Sequence, residues 1–289
     1  MKILVTGAAG QMGSTVIETL LKHIPAQQIS VLTRKEEKRL AFEKQGFNAF
    51  LGDYADVAAL ENAMLDVDTV LLISSGDQGD RMQEHKNVVD AAVKCGVKNV
   101  AYTSRSLRDR TTLNNQLMTE HFLTEDYIKQ SGLKYIFFQN ALYMDVIPQF
   151  VGQNVFETGI FQPAGNGKVA YALRSEQSEA MANVLLNETF ENQTYRFTGS
   201  TAYSFYDIAD ALGALSGKTV KYNAVEVAQY EAMMSQRGLP TFLVKKIVSF
   251  VLDIKDGQES MITNDLENKL GRKPTSLTEG LKILFKQIT

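Results

Sequence analysis

Three glycines stand at a spacing with a chemical use: Gly7, Gly10 and Gly13, in the run Gly7-Ala8-Ala9-Gly10-Gln11-Met12-Gly13. They follow the apolar run Ile3-Leu4-Val5 and open a stretch with helical periodicity. In that setting the first glycine permits a tight turn and the second lets backbone approach a pyrophosphate. The third lets the helix lie close to the strand. Free N–H groups and partial positive charge at the helix start then face the phosphates. Gly7, Ala9, Gly10, Gln11, Met12 and Gly13 are therefore candidate ligands of a dinucleotide.

In NAD-binding chains an acidic residue about 20 residues past such a loop holds the ribose 2′-hydroxyl. Here the second apolar run, Ile29-Ser30-Val31-Leu32-Thr33, ends in Arg34-Lys35. A carboxylate about 4 Å from a 2′-phosphate would oppose it by roughly 4 kcal/mol per unit charge at an effective dielectric near 20. An arginine reverses the sign and adds a forked, charge-assisted bond. Arg34, with Lys38 one turn on, is thus a candidate 2′-phosphate ligand; the other reading of the pair is a solvated helix start. The expected cofactor is NADPH, with NADH possible because Glu36-Glu37 stand beside the two cations and can blunt the preference. Asp53, after the third run, is a candidate acceptor for the adenine amino group, and Tyr54 either lines the site or packs locally. Ile73, Ser74 and Ser75 follow the fourth run, and Thr103 and Ser104 the fifth. Ligands of open α/β sheets bind beyond the carboxyl ends of strands, so these residues line cofactor or substrate unless they are ordinary turn formers.

The elements that must hold these residues alternate. Strands are expected at 3–6, 29–33, 49–51, 69–73, 99–102 and 135–138, with helices near 12–23, 36–45, 56–64, 80–95 and 117–131. Strands separated by helices of this length mean βαβ units and a parallel sheet. The strands are apolar throughout rather than alternating, as expected when helices cover both faces. After Asn140 the rhythm changes to short strands near 168–173, 194–198 and 219–225 and helices near 175–187, 204–216, 227–236, 240–254 and 276–287. The fold expected is a Rossmann-type doubly wound α/β domain over 1–145, followed by a smaller mixed α/β lobe over 146–289 that contributes to one cleft. Met233, Met234, Phe242 and Phe250 either cover an acceptor there or, at helical spacing, form core.

Composition narrows the class. Of 289 residues 44% are hydrophobic and 22% charged, with a net charge of −3, which gives no electrostatic footprint for nucleic acid. One cysteine, Cys95, excludes an intrachain disulfide and fits a reducing, cytoplasmic location. No signal peptide is expected at the start, and no run reaches the roughly 20 apolar residues of a membrane span. Three histidines without ligand spacing give no zinc site. None of the 11 tyrosines has lysine four residues on.

Together GAAGQMG, LTRKEEK, GDYAD, LLISS, HKNVVDAAVKCGVKNVAYTS, His121 with Glu125, and FFQNALYMD resemble the NmrA-like atypical short-chain dehydrogenase/reductases. Within them they are most similar to the subgroup of type 2 NAD(P)H:quinone oxidoreductases and triphenylmethane reductases. The likeness runs on through Tyr195–Gly199, Gly217-Lys218, Gly238-Leu239-Pro240 and Gly271–Thr275, and departs at Gln139, where arginine is usual, and at Glu176, where aspartate is common. Counted back from Glu125, His121 takes the place of the family's lysine and Leu117 that of its tyrosine. The resemblance implies an enzyme that reduces a flat acceptor such as a quinone, whose delocalised product solvent can protonate. It implies His121 at the nicotinamide ribose, or as a satisfied helix histidine, with Asn140 and Tyr143 facing the acceptor or packing as core. His85, inside a helix, reads as structural. The alternatives are a non-catalytic sensor of NADP(H) redox state that acts on a protein partner and, ranked last for want of the tyrosine, a nucleoside-diphosphate-sugar epimerase. The expected partner is a small-molecule electron acceptor, with a homodimer or regulatory protein possible.

Overall fold

The computed structural model describes residues 2–76, 79–152 and 154–285. Its first half alternates β1 (Ile3–Val5), α1 (Gln11–Leu20), β2 (Ile29–Thr33), α2 (Glu36–Lys44), β3 (Asn48–Leu51), α3 (Val57–Ala63), β4 (Thr69–Leu72), α4 (Arg81–Lys94), β5 (Asn99–Arg105), α5 (Gln116–Gln130) and β6 (Lys134–Asn140). There follow α6 (Ile147–Val151), α7 (Val155–Thr158), β7 (Ile160–Gln162), β8 (Lys168–Val169), α8 (Arg174–Asn187) and β9 (Gln193–Phe197). The chain ends with β10 (Tyr203–Ser204), α9 (Phe205–Ser216), β11 (Tyr222–Ala224), α10 (Val227–Gln236), α11 (Thr241–Lys255), α12 (Asp265–Leu270) and α13 (Leu277–Leu284). Of the helix expected near 276–287, residues 286–287 lie outside the described residues.

The main sheet has the order β3-β2-β1-β4-β5-β6-β9. The pairs β1/β2, β1/β4, β2/β3 and β4/β5 are parallel, and Ile3 stands between Ile29 and Thr69. Every residue of β1, β2 and β4 is buried, which is why those strands are apolar on both faces. The chain winds outward from β1 to β3 and then returns to lay β4 on the other side of β1. The order reverses there, and the crevice beyond the carboxyl ends of β1 and β4 is the switch point where doubly wound sheets bind ligands.

Helix starts are set by local chemistry. The Asp56 side chain accepts from Ala59 N at 3.0 Å to cap α3, and the Asp80 side chain accepts from Gln83 N at 2.9 Å to cap α4. Capping boxes open α9 (Ser204 with Asp207) and α13 (Ser276 with Glu279), each satisfying two backbone donors reciprocally.

The chain divides into two compact units interleaved in sequence: 1–105, 119–139 and 174–196 in the first; 106–118, 140–173 and 197–289 in the second. The strand expected near 194–198, read from sequence with the smaller lobe, is β9 and joins the main sheet beside β6. Helix α8, read with that lobe as well, packs on α1. The strand expected over 168–173 is shorter, Lys168–Val169, with an isolated bridge at Ala172 beyond it, and that over 219–225 is reduced to Tyr222–Ala224. The second unit has its own core, with Met144, Ile147, Ile160, Phe205, Ile208, Val251 and Leu281 at its centre. Phe250 stacks on Phe150 at 5.9 Å against that core, and Met234 is buried between α10 and α11. Of the four residues considered as a cover, Phe242 stands out at 73% exposed.

Candidate cofactor site

The glycine turn has the geometry its spacing demands. Gly7 has φ +60°, a left-handed conformation that costs other residues free energy. A Cβ on Gly13 would stand 2.4 Å from the Gly7 carbonyl oxygen and 2.8 Å from the Ala8 Cα, so only glycine lets α1 begin this close to β1. Gly10 caps α1 without a side-chain hydrogen bond, and the first turn holds no acid. The amides at the start of α1 are therefore not taken by a capping side chain and keep their positive end.

A cavity of about 470 Å³ lies past the carboxyl ends of β1 to β4. Gly7, Ala9 and Gly10 line it from β1; Leu32, Thr33, Arg34, Lys35 and Lys38 from β2 and the start of α2; Gly52, Asp53 and Tyr54 from β3; and Ile73, Ser74, Ser75 and Gly76 from β4. Glu84 of α4 completes the lining. Of the residues expected from sequence, Gly7, Ala9, Gly10, Arg34, Lys38, Asp53, Tyr54, Ile73, Ser74 and Ser75 meet here. Leu32, Thr33, Lys35, Gly52, Gly76 and Glu84 line it as well without being candidates from sequence; Lys35 was legible as the second cation of the same pair. Gln11, Met12 and Gly13 are not among the lining residues; Met12 is buried and Gln11 is hydrogen-bonded to Arg174.

The side chains of Arg34, Lys35 and Lys38 make no hydrogen bond or ion pair among the described residues, and Arg34 is exposed. Glu36 is not free to compete: Arg39 Nε donates to its Oε2 at 2.8 Å and Nη2 to its Oε1 at 2.7 Å. That forked bond holds the Glu36 carboxyl below the ordinary carboxylate range and raises Arg39.

Tyr54 turns out to be structural as well as lining. Its hydroxyl meets Thr6 Oγ1 at 2.5 Å and Ile73 O at 2.7 Å, and Ile73 N donates to Thr6 Oγ1 at 3.0 Å. The hydroxyl therefore ties β3 to the tips of β1 and β4 at the switch point, and burial pushes its pKa up. Asp53 Oδ1 accepts from Ala55 N and Asp56 N at 2.9 and 3.1 Å, an Asx turn that shapes the loop into α3.

The loop after β4 is gripped at its Ser75 peptide. Ser75 N donates to His85 Nε2 at 3.0 Å, and Arg81 Nε donates to Ser75 O at 3.2 Å. Both side chains come from α4 and are four residues apart, on one face of the helix. His85 Nδ1 meets Thr124 Oγ1 at 2.9 Å, while Thr124 Oγ1 donates to Glu120 O at 2.9 Å. The threonine proton is thus committed, so the imidazole carries its proton on Nδ1 and accepts at Nε2. Burial, and then the charge of Arg81, press the His85 pKa down to about 3. Arg81 also pairs with Glu120, at 3.2 Å. Ser75 Oγ itself is buried with no partner among the described residues. Among these residues its hydrogen-bonding capacity is unspent, which suits a polar ligand. With the uncapped helix start and three unpaired cations, it makes the cavity fit a phosphorylated dinucleotide.

Thr103 and Ser104 do not line the cavity. Thr103 Oγ1 accepts from Ser74 N at 2.8 Å and so braces the β4 loop. Ser104 Oγ donates to the buried Glu125 carboxylate at 2.5 Å; Gln139 Nε2 donates to the same oxygen at 2.9 Å, and Arg196 Nε to Gln139 Oε1 at 2.9 Å. Gln139, the departure noted above, is thus one link in a buried polar chain. His121 is buried in the first unit, its Nδ1 2.9 Å from the Tyr102 hydroxyl, and burial together with Arg81 and Arg105 keeps it neutral. Asn140 and Tyr143 belong to the second unit. Both amide atoms of Asn140 are buried with no partner among the described residues. Tyr143 is half-buried and bridges Ala172 through its backbone.

The strand order and the site at its switch point define a Rossmann-type dinucleotide-binding fold. The chain belongs to the NmrA-like family, whose model matches residues 1–282. It is 34% identical to quinone oxidoreductase 2 of Escherichia coli (strain K12) over 284 residues, 98% of each chain. An E. coli NADPH-dependent quinone oxidoreductase solved with NADPH superposes with a TM-score of 0.91 at 34% identity, covering 98% of this chain and 99% of that one. The Citrobacter sp. triphenylmethane reductase solved with NADP(H) gives 0.89 at 32% identity, covering 99% and 100%. Among the described residues no helix is long and apolar enough to cross a membrane, and no three His, Cys, Asp or Glu side chains are grouped to hold a metal ion.

Proposed function

We propose that this chain is an NADPH-dependent oxidoreductase that reduces quinones or similar flat acceptors without a Tyr–Lys acid/base pair. The observation that carries the reading is the cluster Arg34, Lys35 and Lys38, unpaired among the described residues, in the same cavity as the uncapped start of α1. The likeness to quinone- and dye-reducing relatives supports the acceptor class.

Bound NADPH supplies the hydride. The chain's own residues supply position and charge. Gly7, Ala9 and Gly10 let backbone approach the pyrophosphate, with Gln11, Met12 and Gly13 presenting amides at the head of α1. Arg34 and Lys38, joined by Lys35, neutralise the 2′-phosphate. Asp53 keeps Oδ2 for the adenine amino group while Oδ1 holds the turn. Ser75 donates its orphaned hydroxyl, and Ile73 and Ser74 form the wall that His85, Arg81 and Thr103 hold in place. His121, neutral and anchored on Tyr102, hydrogen-bonds the nicotinamide ribose. No side chain need deliver a proton, because a reduced quinone is weakly basic and solvent protonates it. Orientation then carries the rate.

The test is NADPH oxidation at 340 nm with a panel of soluble quinones and cationic dyes. Turnover supports the proposal. Tight NADPH binding with no turnover on any acceptor favours the sensor reading, and interconversion of sugar nucleotides would favour the epimerase reading.

A further inference from the structure

Helix α2 begins with an acid pair, Glu36-Glu37, directly after the cations at the tip of β2. Acids in a first helical turn suit the positive end of the helix, but here they stand beside a site for a phosphate dianion. The structure deals with one of them through helical spacing. Arg39, three residues on, forks onto both oxygens of Glu36 at 2.7 and 2.8 Å, and its remaining Nη1 reaches Glu43 Oε2 at 3.2 Å. The Glu36 carboxylate is thereby drawn along the helix toward its C-terminal end. Neither Glu36 nor Arg39 lines the cavity, whereas Arg34, Lys35 and Lys38 do.

We infer that Arg39 is a specificity-determining residue that never touches the cofactor: it withdraws Glu36 from the 2′-phosphate position and so preserves the preference for NADPH over NADH. The inference rests on the cofactor reading above. Without Arg39, the Glu36 side chain regains rotamers that bring its charge toward the β2 tip and toward the lysine and arginine there. It then repels a 2′-phosphate and offers an acceptor to a 2′-hydroxyl, the arrangement an NAD site uses. The electrostatic part of this change is exposed, and so it is modest and screened by salt.

The experiment is a titration of NADPH and NADH into the wild-type protein, Arg39→Ala, Glu36→Gln and the double variant at low ionic strength. Arg39→Ala is expected to lower the NADPH-to-NADH affinity ratio about two- to fivefold, the range for exposed charge pairs. Glu36→Gln alone leaves NADPH affinity undiminished, and adding it to Arg39→Ala restores the wild-type ratio. Arg39→Ala with an unchanged ratio overturns the inference. So does a ratio that Glu36→Gln fails to restore, which would mean that Arg39 binds the phosphate itself, and so does equal loss of both cofactors, which would mean that it only steadies α2. If the wild-type protein shows no preference for NADPH, the cofactor reading falls, and that is seen before any variant is made.

Discussion

His85→Gln separates a structural histidine from a titrating one. The imidazole is fully buried, accepts from Ser75 N and carries its own proton toward Thr124. A second proton would turn Nε2 into a donor facing the Ser75 N–H, next to the Arg81 guanidinium. Its folded pKa is about 3, against roughly 6.5 for an unfolded chain. In that window the unfolded chain binds a proton that the folded one does not. Stability from this group is therefore complete above about pH 6.5 and is lost as pH falls toward 3, at about 1.4 kcal/mol per unit. Between pH 7 and pH 4.5 the loss is roughly 3 kcal/mol. Carboxylates and His121 add losses of the same sign, so the wild-type curve must be compared with that of the variant. Glutamine keeps an acceptor for Ser75 and cannot titrate. Urea unfolding of both proteins at pH 7 and 4.5 is the assay. Whatever offset the variant shows at pH 7, acidification should move the difference by roughly 3 kcal/mol in its favour. Parallel pH dependences would refute the buried, neutral, single-tautomer assignment.

Three further outcomes follow from the same geometry. Arg34→Ala should weaken NADPH about ten- to hundredfold, the range for a charge-assisted bond, with NADH little changed in the same titration. Gly13→Ala puts a methyl 2.4 Å from the Gly7 carbonyl oxygen; denaturant unfolding should show a loss of about 1–3 kcal/mol, with both cofactors weakened because the helix start shifts. Tyr54→Phe removes the hydroxyl that ties Thr6 to Ile73; a loss of about 1–2 kcal/mol in urea is expected, without change in the NADPH-to-NADH ratio.

What could be read from sequence was local. The glycine turn, the buried strands and the basic tip of β2 depend on neighbours a few residues away, and each stands where its period and turn chemistry put it. Long-range pairing was hidden: β9 joins β6 across more than 50 residues of chain, and nothing in Gln193–Phe197 distinguishes that partner from a nearer one. Ser104 shows why residue type misleads. A hydroxyl after a strand looks like a ligand-binding group, yet its bond is to Glu125, in the C-terminal half of α5. His85 was read as structural and is so, but which loop it holds depends on how α4 packs. The Glu36–Arg39 pair was within reach, since three-residue spacing on a helix brings the side chains together.

The central claim is that a pocket for a 2′-phosphorylated dinucleotide lies at the switch point between β1 and β4. Equilibrium titration of the wild-type protein with NADPH, in competition with 2′,5′-ADP and with 5′-AMP, tests it most directly. Saturable NADPH binding is expected, displaced much more effectively by 2′,5′-ADP than by 5′-AMP. Absence of NADPH uptake, or equal displacement by the two nucleotides, would contradict it.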